Sequence, residues 1–170
     1  YATNANGTSY GDEVSLTTTA VKPTVKTSDA TDVTTSSAKV GGNVTATGGA
    51  EVNERGIVWS TSQNPTKENN KVQIGEGLGE FYTTLADLSI ATTYYVRAYA
   101  INSVGTSYGE EISFTTGSAK PAVTTVSPSE VTSSSAVSGG KVTSDGGSAV
   151  TARGVVWSKE HNPTVSLSTK

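Results

Sequence analysis

The run GEGLGE at residues 75–80 has the glycine density of a phosphate-binding loop. Such a loop works because a helix follows it and aims its first N–H groups at the anion. Here FYTTLADL follows, with the alternation of a strand, and Glu80 stands where the third glycine belongs. A β-turn is the expectation. His161 is the single histidine, and Gln63 takes its place in the matching stretch upstream. A lone imidazole with no cysteine or partner carboxylate nearby in sequence reads as a solvent-facing loop residue rather than a general base or metal ligand.

Asp12–Glu13 and Glu110–Glu111 are recurring acid pairs. Calcium wants six to eight oxygens, but adjacent residues on a strand point to opposite faces. Charges that discourage edge-to-edge pairing are the expected role. Arg55 and Arg153 also recur, and Arg97 falls on a neighbouring strand. They suit a ladder of guanidinium groups stacked on Tyr95 or Tyr99. A glycan-binding face would use the same residues. Asn6-Gly-Thr8 and Asn43-Val-Thr45 match the N-glycosylation pattern by chance composition. No catalytic, cofactor or metal residue is expected, and the chain is not read as an enzyme.

The elements that would position these groups follow from the wider composition. The 170 residues hold 12 basic and 15 acidic side chains, for a net charge of −3. That balance disfavours nucleic acid and anionic membranes as partners. Charged residues make up 16%, against roughly 25% in a typical soluble domain. Their place is taken by 23 Ser and 28 Thr. Thr is a good strand former as well as a polar one. There is no Cys, which removes disulfides and thiolate metal sites, and no Met. A chain without an initiator Met is expected to be processed or part of a longer one. No apolar run approaches the length of a membrane span.

The phrase GIVWSTSQNPT (56–66) returns as GVVWSKEHNPT (154–164). Sliding the chain by 98 residues superimposes 1–72 on 99–170 without a gap, and 36 of the 72 positions are identical. An internal repeat of this quality predicts a tandem array. One copy is whole, residues 22–116. Residues 1–18 are the last strands of a preceding repeat, and 119–170 are the front half of a following one. The window is expected to come from a longer polypeptide. The alternative is completion by strands from a neighbouring chain. The linker TTGSAKPAV (115–123) is short and carries Pro, which predicts a restricted angle between repeats.

Within the whole copy, short alternating runs between Gly, Asn, Pro and Ser turns predict strands near 23–28, 36–46, 53–61, 71–75, 80–86, 92–101 and 108–115. Seven short strands in such a span suit an immunoglobulin-like sandwich. IVW is then a third-strand core run. SxxxNPT is the turn leaving it, with Asn64 folding its side chain onto the backbone and Pro65 fixing φ.

Leu88, Thr92, Tyr94, Val96 and Ala98, within LSIATTYYVRAYAINSVGTSYG, resemble the late strands of fibronectin type III domains. RGIVWSTSQNPT resembles the bacterial fibronectin-III-like tandem repeats of surface and secreted proteins. The departure is the absence of an early-strand Trp, with Trp59 on the third strand instead. The resemblance implies an all-β, immunoglobulin-like (fibronectin type III-like) β-sandwich in tandem array. It also implies a corner role for Tyr94, its hydroxyl bonded to backbone upstream. The core residues expected are Trp59, Trp157, Tyr94, Leu88 and Val96. The functional expectation is an extracellular or cell-surface bacterial spacer, stalk or filament body, without cofactor. Its partners would be neighbouring repeats of the same protein, or other copies of the chain in a filament. An adhesin or carbohydrate-binding module is the alternative.

Overall fold

A computed structural model describes residues 1–166, and among them there is no helix. The strands run β1 (Ala2–Asn4), β2 (Gly7–Ser9), β3 (Thr24–Thr31), β4 (Ala38–Ala46), β5 (Glu54–Ser60), β6 (Asn70–Gly75), β7 (Gly79–Leu85), β8 (Thr93–Asn102), β9 (Gly105–Tyr108), β10 (Ile112–Thr115), β11 (Ala122–Ser129) and β12 (Val137–Ser144). A three-stranded sheet, β3-β4-β7, faces a second sheet of order β10-β8-β5-β6, all pairs antiparallel. These two sheets form a β-sandwich across residues 24–115.

The sandwich closes because each strand sends one side-chain set inward. On β8, Tyr94, Val96, Ala98 and Ala100 enter the core. They meet Val25, Val40, Val44 and Phe81 of the other sheet. The close approach depends on Gly42, where a Cβ would lie 2.4 Å from the Ala98 Cβ. Tyr94 stacks on Phe114 with centroids 5.8 Å apart. Its hydroxyl accepts the Ser89 backbone N–H at 3.0 Å, five residues upstream.

The expected strand at 108–115 is two. β9 pairs Tyr108 with Tyr99, while β10 pairs Ile112 with Val96. The intervening 109–111 holds one residue more than its partner strand, which makes a bulge. Gly109 sits there because a Cβ would lie 2.5 Å from the Thr27 backbone nitrogen.

Outside the sandwich, local structure recurs at the 98-residue spacing. The β11–β12 hairpin repeats the register of β3–β4, from Thr24↔Ala46 and Ala122↔Ser144 through Thr31↔Lys39 and Ser129↔Val137. The β1–β2 hairpin repeats that of β8–β9, with Asn4↔Gly7 matching Asn102↔Gly105. Burial does not recur. Ile57 is fully buried and Trp59 packs against the core, but Trp157 is 60% exposed and residues 151–158 lie in no strand. The expectation of Trp157 in a core is therefore corrected. Trp59 is held by pairing with Val96 of β8, whereas residues 151–158 belong to no strand. Residues 167–170 of the expected following repeat lie outside the described residues.

Candidate functional site

GEGLGE connects β6 to β7, with Gly77 and Gly79 at φ 74° and 98°. The chain turns on these two residues because only glycine takes that backbone freely. Its carbonyls converge on one side chain. Those of Gly77, Leu78 and Gly79 accept from Arg55 Nη1 at 3.3, 2.6 and 3.0 Å. A phosphate needs converging donors, whereas this loop converges acceptors on a cation. The Arg55 guanidinium also lies 5.1 Å from the Phe81 ring centroid.

The stacking expected on Tyr95 or Tyr99 is thus found elsewhere, because the β5 pleat sends Arg55 to the Phe81 side. Arg97, on the opposite face, lies 4.9 Å from the Tyr108 centroid and donates through Nε to the Gly109 carbonyl at 2.9 Å. Arg153 borders a shallow open depression with Val142 and Val150.

His161 is exposed in a bend. Among the described residues, no group of three or more His, Asp or Glu is placed to hold a metal ion. Asp12 and Glu13 are exposed, but Glu111 is half-buried and accepts the Asn64 backbone N–H. Glu111 thereby clamps the NPT turn, just before the edge strand β10. Asn64 is left-handed at φ 58°, and Pro65 is buried. The Lys67 N–H donates to the Tyr108 hydroxyl at 3.1 Å. In this turn it is the Asn69 side chain that folds onto backbone, accepting from the Thr66 N–H at 2.9 Å. The recurrent NPT phrase therefore folds a turn back over the outer face of the larger sheet. Asn6 is exposed in the β1–β2 turn, while Asn43 lies within β4, paired on both sides.

On β5, β6 and β8 lies a pair of titrating groups shifted by their surroundings. Tyr99 is fully buried and donates to Glu54 Oε1 at 2.6 Å. Lys71 Nζ donates to the same oxygen at 2.8 Å. Lys71, then Tyr99, holds the Glu54 carboxyl below its ordinary range against a smaller opposing effect of burial. Burial, then Glu54, pushes the Tyr99 phenol above its own. An ionised carboxylate and a neutral phenol are the stable forms, so the cluster ties β5, β6 and β8 together and presents no activated nucleophile. Ala152 replaces Glu54 in the recurring stretch, so this latch is particular to one sandwich.

The remaining dense polar chemistry is at the two poles of the sandwich, where the chain enters and leaves. Asn102, 3% exposed, donates through Nδ2 to the Val21 and Thr47 carbonyls at 2.7 and 2.9 Å. Its Oδ1 accepts from Val104 and Gly105 N–H groups at 2.9 and 3.2 Å. All of its amide capacity is used, and the incoming segment at Val21 is bound to two turns at once. At the opposite pole Thr116 is 3% exposed. Its hydroxyl accepts the Thr92 N–H at 2.9 Å and donates to the Ser89 carbonyl at 2.6 Å. Gly117 N–H then donates to Thr34 O at 2.9 Å. The segment between that anchor and β11 is only a few residues long. The sequence reading named neither Asn102 nor Thr116. A signal was present: Asn4 and Thr18 repeat them, polar residues kept identical at the 98-residue spacing.

No family model matches the chain, and no curated protein does. Among solved structures, the sensor domain of the anti-sigma factor RsgI4 of Pseudobacteroides cellulosolvens is similar at 19% identity. That overlap covers 57% of this chain and 96% of the other, with a TM-score of 0.47. A fourth FNIII domain from human is similar at 20% identity over 68% of this chain and 93% of its own, with a TM-score of 0.46. The fibronectin type III domain of human KIAA0970 protein follows at 19% identity, 58% and 76% coverage, and a TM-score of 0.41. The sandwich itself rests on the strand order above.

Proposed function

We propose that this chain is a structural, extracellular spacer: a stretch of fibronectin type III-like sandwiches in tandem, serving as the stalk or filament body of a bacterial cell-surface or secreted protein. The observation that carries this reading is the pinning of the chain where it enters and where it leaves the sandwich. Asn102 binds the incoming segment and Thr116 the outgoing one, through buried hydrogen bonds. Beads held this way transmit direction from one to the next, whereas freely hinged beads do not. Repetition then gains length from a single folding solution. The partners are neighbouring repeats, and the Ser/Thr-rich surface keeps the rod hydrated without strong fields.

Negative-stain electron microscopy of the parent chain, concentrated and after long dilution, tests the reading. Single-file beads of even spacing that persist on dilution are expected. Compact particles, or beads at random angles, overturn it. Selective micromolar binding on a glycan array would move the assignment to a carbohydrate-binding adhesin.

A further inference from the structure

Ile90 and Ala91 form the turn between β7 and β8, and Ala91 holds a left-handed φ of 47°. Glycine is the usual occupant of such a backbone, yet here a methyl is present. It lies against Gly147, in the turn after β12. A Cβ at Gly147 would sit 2.4 Å from the Ala91 Cβ and 3.6 Å from Ile90 Cγ1. One pole of the sandwich is thus seated on the Gly-Gly turn of the segment that follows it.

That turn has a twin. Gly48 and Gly49 have φ 73° and 83°, and Gly146 and Gly147 have φ 71° and 79°. Val21 N–H donates to Gly48 O at 2.8 Å, as Ala119 N–H does to Gly146 O at 2.7 Å. A Cβ at Gly48 would meet Val21 O at 2.2 Å, and one at Gly146 would meet Ala119 O at 2.1 Å. The two turns share one shape and one attachment to the incoming segment. At Gly49 the nearest atom to an added Cβ is Ala20 Cα, at 3.7 Å. The Gly147 side that receives Ala91 meets only Ala20 at Gly49, at ordinary contact distance, and no other turn is seated there.

We propose that the Gly48–Gly49 turn is a docking seat for the Ile-Ala turn of a second copy of this repeat lying upstream, as Gly147 is for Ile90 and Ala91. The proposal rests on the tandem-spacer reading and names its joint: an apolar plug from one bead against bare glycine backbone of the next. Glycine serves twice, by permitting the turn and by leaving no side chain between the beads. The surface recognised is small and apolar, so it acts only between beads that the linker already holds together.

Nuclear magnetic resonance on two chains tests it. In the 170-residue chain, a cross-peak between the Ala91 methyl and the Gly147 α protons is expected. In the second chain, residues 22–98 are placed directly before Tyr1, where 1–18 complete the upstream repeat. A cross-peak from the upstream Ala methyl to the Gly49 α protons is then expected, with the Gly49 resonances moving toward those of Gly147. Ala91→Gly in the upstream copy relieves the left-handed backbone and cannot unfold it by strain, and it should abolish that cross-peak. Ile90→Asp there should return the Gly49 resonances to their original positions. An upstream repeat that folds but gives no cross-peak to Gly49 overturns the proposal. So does absence of the Ala91–Gly147 cross-peak. Even single-file beads by microscopy without these cross-peaks would sink the seat and leave the spacer. The cross-peaks in a chain that proves compact would sink the spacer and leave the seat.

Discussion

The Tyr99 hydroxyl reaches Glu54 Oε1 at 2.6 Å by lying across Gly56, where a Cβ would be 2.9 Å from the phenolic oxygen and 2.0 Å from Val72 O. A fully buried phenol, an ionised carboxylate and a missing side chain make one unit. Gly56→Ala should push Tyr99 off β5 or strain the β5–β6 pairing, costing about 2–3 kcal/mol in urea denaturation. Gly154 is its sequence counterpart and has nothing within 4 Å of an added Cβ. Gly154→Ala should change stability by no more than about 0.5 kcal/mol.

Tyr99→Phe removes the hydrogen bond but leaves Lys71 on the same carboxylate oxygen. A cost of about 1 kcal/mol is expected, below the range for charged partners, because Glu54 is partly exposed and stays paired. The pH profile separates the two groups. Glu54 titrates below its ordinary 4.5 when folded. Its contribution is present above that value and is lost as pH falls through the folded one. Glu54→Gln should flatten this acid limb. Tyr99 titrates above its ordinary 10.0. Its contribution is present below 10.0 and is lost as pH rises through the folded value. Tyr99→Phe should flatten the alkaline limb and reduce the acid one only in part, because Lys71 still holds the Glu54 carboxylate. Both limbs are read from denaturation midpoints across pH.

Asn102→Ala strips partners from the Val21 and Thr47 carbonyls and from the Val104 and Gly105 N–H groups. A loss of about 2–4 kcal/mol is expected from several buried unsatisfied groups together. Asn102→Asp is expected to do worse at neutral pH, because it aims a carboxylate at two carbonyls. Its deficit should shrink in mild acid. Hydrogen exchange at Val21 should speed up in both variants, and unchanged exchange there would remove Asn102 from its anchoring role.

The two tryptophans should differ in solution. Trp59 packs against the core and Trp157 is 60% exposed. Trp59→Ala should cost about 3 kcal/mol, and Trp157→Ala under about 1. The fluorescence shift on unfolding should persist in Trp157→Phe and vanish in Trp59→Phe.

Much of the fold is legible in the sequence because strand alternation is local. TYYVRAYAIN shows which residues of β8 face each way, and the 98-residue self-match finds both recurring hairpins. Those hairpins keep their register because register depends on pleat and turn chemistry within a few residues. The bulge at 109–111 was not legible. It depends on Thr27, far away in the chain, pressing against Gly109.

The chain's order of residues by itself determined the all-β class, the turns and the recurrence of local shape. Only the tertiary structure decided burial, and with it the fate of recurring phrases. IVW and VVW differ by a single Ile-to-Val change, yet Trp59 packs against the core while Trp157 stands 60% exposed. Burial is a property of what packs on a strand, and the strand's own sequence does not contain it. The same holds for Arg55, whose partners are three carbonyls 22 to 24 residues away, and for Gly147 beneath Ala91. Contacts of that kind join residues by folding, and no local pattern spells them.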